Sequence, residues 1–193
     1  MNGGRGTASG RIRIIGGSLR NSRLNVPELP GLRPTAERVR ETLFNWLAPV
    51  MDGARCLDLC AGTGALGIEA LSRGAAGVQF VERDARAALA LRDNLTRLKT
   101  RGSLVVMLDA SQFLQGAPQV QDLVFLDPPF ALALWSALAQ QLDQGGWLAA
   151  QAWIYVESPR AEVPALPANW RLHREGHAGA VRFALYRRAL PLS

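Results

Sequence analysis

The stretch LDLCAGTGALG, Leu57 to Gly67, carries an apolar run into a glycine-rich turn and out again into a helical pattern. Its three glycines, Gly62, Gly64 and Gly67, are spaced Gly-x-Gly-x-x-Gly. Glycine lets the backbone turn sharply and lets a ligand approach it closely. On its own the spacing is a weak signal, and its context strengthens it. Glu82 ends the next apolar run, twenty positions beyond Gly62. A carboxylate there can accept hydrogen bonds from both hydroxyls of a ribose. The stretch therefore predicts a nucleoside-containing cofactor, held by Ala61, Gly62, Gly64, Gly67, Glu82 and Arg83.

Outward from this turn the rhythm is strand, turn, helix, repeated. Apolar runs fall at 55–60, 78–82, 104–108, 123–127 and 153–157, and helical patterns fill 65–73, 84–99 and 131–143. Short strands alternating with helices predict an α/β fold with a parallel sheet covered on both faces. The tail differs. Residues 158–169 are proline-rich, and RLHREGHAGAVRFALYRR after them predicts an antiparallel hairpin with Val181, Phe183 and Leu185 on one face.

Upstream, residues 1–10 are glycine-rich and predict a disordered tail. Residues 11–50 predict a basic hairpin and a helix, set apart from a main domain over 51–193. Thr35 is placed to cap that helix. Val39, Leu43, Trp46, Leu47 and Val50 form its apolar stripe, with Arg38, Arg40 and Glu41 mostly off it. The chain of 193 residues, 48% hydrophobic, suits one globular domain with a small appendage. It has no apolar run of about 18 residues and no secretory signal, and a cytoplasmic location is the simplest expectation. Two cysteines, Cys56 and Cys60, make neither a disulfide framework nor a metal site.

The net charge is +6. Residues 1–50 carry eight arginines against three glutamates, nearly the whole excess in a quarter of the chain. Such a segment concentrates phosphate polyanions, so Arg11, Arg13, Arg20, Arg23, Arg33 and Arg38 are candidate nucleic-acid contacts.

The cofactor class follows from the acids. A dinucleotide would place a pyrophosphate at the helix start, where Asp58 is unhelpful. S-adenosylmethionine carries an ammonium and a sulfonium instead, and Asp58 could reach the ammonium through water. The third strand ends at Asp109-Ala110, where Asp109 either meets the adenine edge or caps a helix.

The second motif is VFLDPPF, Val124 to Phe130. Proline cannot extend a central ladder, so the strand stops at a stiff corner. The Asp127 carboxylate and the Pro128 carbonyl offer two acceptors, which match the two hydrogens of an exocyclic amine. Pro129 keeps the corner rigid. Phe130 offers a face for a base to stack on, worth roughly 1–3 kcal/mol.

This spacing resembles the class I S-adenosylmethionine-dependent methyltransferases that act on exocyclic amines, and within them the RsmD family. The resemblance rests on RIIGG (13–17), RPTAERVRETLFNWL (33–47), LDLCAGTGALGIEALSRGA (57–75), VERD (81–84), VFLDPPF (124–130) and YVE (155–157). It covers residues 11 to 188, with Cys60 standing where an aromatic is usual. It implies a Rossmann-like seven-stranded sheet whose last hairpin supplies the antiparallel strand. It also implies transfer to guanine N2 of small-subunit (16S) ribosomal RNA within an assembling particle, and one complete site per chain makes a monomer the simplest expectation. An adenine-N6 enzyme acting on DNA or RNA is the alternative. A nicotinamide-dependent oxidoreductase leaves the proline corner unexplained, and a non-catalytic RNA-binding module leaves the cofactor loop unexplained. Tyr155 reads equally as a pocket wall or as packing.

Overall fold

Period-two alternation along the strands sends successive side chains to opposite faces of one sheet. In the computed structural model, which describes residues 11–30, 32 and 34–189, both faces are covered. The expected tail, residues 1–10, and Arg33 lie outside the described residues. The elements are β1 (Arg11–Arg13), β2 (Arg23–Asn25), α1 (Glu37–Leu47), β3 (Arg55–Asp58), α2 (Ala65–Ser72), β4 (Gly77–Val81) and α3 (Ala85–Arg97). They continue with β5 (Ser103–Val106), α4 (Ala110–Leu114), β6 (Gln121–Leu126), α5 (Trp135–Gln144), β7 (Leu148–Pro159), β8 (Trp170–Ala178) and β9 (Val181–Arg188).

Seven strands form the main sheet in the order β5-β4-β3-β6-β7-β9-β8. The pairs from β5 through β7 are parallel, and β9 runs antiparallel to both β7 and β8. This is the Rossmann-like class I methyltransferase sheet expected from the sequence. On one face Cys56, Phe80, Phe125, Tyr155 and Leu185 pack with α1, α2 and α3. On the other Leu57, Val81, Val124, Leu126 and Val156 pack with α4 and α5. Gly67 serves this packing: a Cβ there would lie 2.2 Å from a ring carbon of Phe80.

The basic hairpin β1–β2 is a separate two-stranded sheet, yet its Ile12, Ile14, Leu24 and Val26 share the core of the first face. Polar groups fix it to α2. Glu69, fully buried, accepts from the Ile15 and Gly16 backbone amides at 2.9 and 2.8 Å and from Arg73 Nε at 2.8 Å. Gly17, with φ +74, leaves no room for a side chain, because a Cβ would overlap the Ser72 carbonyl.

Two sequence expectations are corrected. Thr35 does not cap α1: the N-cap is Ala36, with no side-chain hydrogen bond, and the Thr35 hydroxyl donates instead to Glu157. Arg40 lies off the apolar stripe but is buried, its guanidinium 3.5 Å from Glu69 and donating to the Thr35 and Arg13 carbonyls. The Glu69 charge offsets only part of the desolvation of Arg40, whose burial is the larger effect on its guanidinium. Two segments are longer or more regular than the sequence pattern suggests. Residues 148–152 join β7, and α4 forms a five-residue helix.

Candidate active site

The strand order reverses between β3 and β6, since the chain builds outward from β3 in one direction and from β6 in the other. Open α/β sheets bind ligands in the crevice at such a switch, beyond the carboxyl ends of the strands. The turn after β3 is pinned across it. Leu59 N donates to the Phe125 carbonyl of β6 at 3.1 Å, and Ala61 N to the Val81 carbonyl of β4 at 2.9 Å. Gly62 and Gly64 take φ of +53 and +72, the left-handed region that glycine enters without strain.

Four predicted acids gather at these strand ends. Asp58 is buried and accepts from Gly67 N at 3.0 Å. Burial pushes its carboxyl up to about 7 against that hydrogen bond, and the Glu82 charge adds to the rise. Glu82 accepts from Gly62 N and from Asp84 N, both at 2.7 Å, and so fixes the glycine loop to the end of β4. A carboxylate has about four lone-pair sites, which leaves capacity for ribose hydroxyls. Asp109 caps α4 by accepting from Ser111 N at 2.9 Å, and Ala110 is buried beside it. Arg83 is exposed. The half-buried Cys60 thiol senses the field: burial raises its pKa, and Asp127, Asp58, Glu82 and Asp109 raise it further. An acid-lined crevice disfavours a pyrophosphate and suits a cationic sulfonium and ammonium. These residues therefore fit S-adenosylmethionine on charge as well as on backbone shape.

The proline corner closes the other side. Pro128 is buried, while Pro129 and Phe130 are exposed. The Pro128 carbonyl accepts no backbone hydrogen bond among the described residues. Phe130 packs against Trp135, with ring centroids 5.7 Å apart and planes at 54°. The buried Trp135 donates from Nε1 to the Glu157 carbonyl at 2.7 Å. Asp127 is half-buried, but its carboxyl is held well above the usual range, first by desolvation and then by the charges of Glu157 and Asp58.

Sequence reasoning missed the polar group behind Asp127. Glu157, buried, accepts at Oε2 from the Tyr155 hydroxyl at 2.9 Å and from the Thr35 hydroxyl at 3.2 Å. Tyr155 is fully buried, so it is packing and hydrogen-bond donor rather than exposed wall. The YVE signal was visible, but Thr35 lies 122 positions away and only the fold joins them. Arg11, Arg13, Arg20, Arg23 and Arg38 are all exposed, with Arg13 ion-paired to Glu37.

The profile of the family described as Conserved hypothetical protein 95 matches residues 12–187. Ribosomal RNA small subunit methyltransferase D of Escherichia coli is 51% identical over 183 residues, covering 94% of this chain and 92% of that protein. The protein of the same name from Haemophilus influenzae is 44% identical, with 93% and 95% covered. A solved structure of a candidate methyltransferase from Escherichia coli superposes with a TM-score of 0.87 at 49% identity, covering 93% of this chain and 99% of that one. A more distant candidate methyltransferase, complexed with SAH, shares the fold at a TM-score of 0.68 and 15% identity, over 85% of this chain and 52% of its own. On the profile match and this near-full-length identity, the chain belongs to the RsmD family of ribosomal RNA small subunit methyltransferases.

Proposed function

We propose that this chain transfers a methyl group from S-adenosylmethionine to the exocyclic N2 of a guanine in small-subunit (16S) ribosomal RNA. Its substrate is then an assembling particle, and the chain acts as a monomer because one chain carries every element of the site. The observation that carries the reading is the juxtaposition, across one strand switch, of an acid-lined glycine loop and a corner bearing two amine acceptors. The curated relatives' names supply the ribosomal RNA.

S-adenosylmethionine supplies an electrophilic methyl on a sulfonium. Asp58, Ala61, Gly62, Gly64, Gly67, Glu82, Arg83, Asp109 and Ala110 are the residues that would hold it. Asp127 and the Pro128 carbonyl each accept one amine hydrogen and hold both out of the ring plane. That pushes the nitrogen toward sp³ and localises its lone pair. Pro129 fixes the corner, and Phe130, steadied by Trp135, stacks the base. With the cofactor bound, the oriented lone pair would take its methyl, the N–C bond forming as the sulfonium's S–C bond breaks, and the methylated amine would then lose a proton. Most of the acceleration comes from alignment, which can contribute about 7–11 kcal/mol.

The test is methyl transfer from labelled S-adenosylmethionine to small subunits, to their stripped RNA and to DNA, followed by digestion to nucleosides. Label in N2-methylguanosine, with subunits the better acceptor, is the expected result. Label in N6-methyladenosine assigns the same chemistry to the other base and overturns the reading. Asp127→Ala should lower single-turnover transfer about 10²–10³-fold, the scale for removing one oriented polar group, with cofactor affinity retained.

A further inference from the structure

Glu157 is fixed more firmly than a strand end needs. Its Oε2 accepts from the Tyr155 hydroxyl at 2.9 Å and from the Thr35 hydroxyl at 3.2 Å. Its carbonyl accepts from Trp135 Nε1 at 2.7 Å, and Trp135 packs on Phe130, the ring assigned to the base. Oε1 accepts no hydrogen bond among the described residues and still meets solvent, within the 8% of Glu157 that is exposed. One carboxylate oxygen is thus anchored, and the other stands unengaged near the stacking platform. Register places Glu157 beside Asp127. Leu126 of β6 pairs with Val156 of β7, so Asp127 and Glu157 come next on neighbouring strands, which lie about 4.8 Å apart. Alternation turns both toward the face of Phe125 and Tyr155.

A base taken out of its stack is read along its Watson–Crick edge. Guanine presents two adjacent donors there, the N2 amine and N1–H. Adenine presents its amine beside a bare N1, which is an acceptor. Two carboxyl groups side by side repel one another, and the Glu157 charge helps to hold the Asp127 carboxyl above its usual range. A base that brings a donor to each offsets that repulsion. A base that brings a lone pair to the second adds to it.

We propose that Glu157 is the residue that selects guanine: its Oε1 accepts N1–H while Asp127 and the Pro128 carbonyl hold the N2 amine. This rests on the reading of the proline corner as the site of a guanine amine. Tyr155 and Thr35 act as positioning residues. By donating to Oε2 they favour the charged form of Glu157 against its burial, and they turn Oε1 toward the base. Adenine is refused by its own N1 rather than by its size, since a lone pair would face a carboxylate. Glu157→Gln has a defined orientation for the same reason. Its amide oxygen takes the two hydroxyl donors, so its NH₂ takes the place of Oε1. Guanine N1–H then meets a donor, and a base with a bare N1 is matched instead. A loss of packing alone would lower transfer to every base alike.

The test uses the full chain in three forms: unaltered, Glu157→Gln and Glu157→Ala. The labelled guanine is located in small subunits, which are then reconstituted with that one base as guanine or as 2-aminopurine. 2-Aminopurine keeps the amine but has no N1–H. Single-turnover methyl transfer is measured on both, and the intrinsic reactivity of the two amines cancels when their rate ratio is compared between chains. In Glu157→Gln the ratio of guanine to 2-aminopurine should fall about 10–100-fold, the scale of one charge-assisted hydrogen bond, with the loss on guanine alone. Glu157→Ala, which offers neither donor nor acceptor, should also lower the ratio, with no gain on 2-aminopurine. A ratio unchanged in both variants, whatever their absolute rates, overturns the inference and leaves Glu157 a structural group, while label in guanine N2 keeps the proposed function. Label in adenine, or none from the unaltered chain, overturns the proposed function and this inference with it.

Discussion

Asp58 has two partners with opposite preferences. In the cofactor-free protein, burial keeps it protonated up to a pH of about 7. A bound ammonium would favour its charged form. A carboxyl raised on folding stabilises the protein fully below its unfolded value, near 3.9, and that stabilisation is lost as the pH rises through about 7. The cofactor-free protein should therefore unfold at higher temperature at pH 5 than at pH 8. Asp58 would account for a few kcal/mol of the difference, at about 1.4 kcal/mol for each tenfold change in its proton affinity. Asp58→Asn cannot titrate, and thermal melts at the two pH values should lie measurably closer together. They should not coincide, because Asp127 and Glu157 are raised as well and act in the same direction. Melts as far apart as those of the unaltered chain would remove Asp58 from the account. The same sign applies to binding: near pH 7 a cationic cofactor should expel a proton, visible by calorimetry in buffers of different ionisation enthalpy.

At the scale of elements, α2 joins two functions. Its N-terminus begins at the glycine loop, and its last turns hold the basic hairpin through Glu69 and Ser72. Glu69 accepts from two hairpin amides and faces Arg40 and Arg73. Glu69→Ala would leave a buried guanidinium and two amides without their acceptor, a cost of about 3–5 kcal/mol. At roughly 2–4 °C per kcal/mol for a chain of this size, the melting midpoint should drop by about 10 °C. Exchange of the Ile15 and Gly16 amides should accelerate first. Glu41→Ala, on the exposed side of α1, should change neither. None of this was readable in sequence, because Glu69 sits 54 positions from Ile15 and the acid's partners come from a distant segment that only the fold brings onto its nearly all-buried helix. Thr35 misled for the same reason. A threonine just before a helix reads as a cap, and only β7 folding back past it supplies the stronger acceptor. What was legible depended on local chemistry: alternating apolar runs gave the strands, and the glycine spacing and proline corner gave the two halves of the crevice. The group behind Asp127 was legible only as YVE without its partner.

Across the whole molecule, charge is divided by task. The crevice is lined by acids, while the hairpin and α1 expose arginines. Arg40 adds nothing to that exposed basic surface, since it is buried against Glu69, and Arg13 is engaged by Glu37. Arg11, Arg20, Arg23 and Arg38 are exposed and form no ion pair among the described residues. An RNA held by these four should lose affinity with salt along a log–log slope near −3, at about −0.7 per phosphate for single strands. The hairpin is rigidly seated on α2, so removing charge from it should weaken binding without disturbing the crevice. Arg20→Ala with Arg23→Ala should reduce the slope by about 1.4 and leave cofactor affinity unchanged. Asp127→Ala should do the reverse, keeping the slope while losing transfer. Equilibrium binding to small subunits across a salt series measures both. A slope that the double substitution does not change would take the hairpin out of RNA recognition and shift that role to arginines elsewhere on the surface. A slope that falls together with cofactor affinity would mean that arm and crevice are one cooperative unit, coupled through α2.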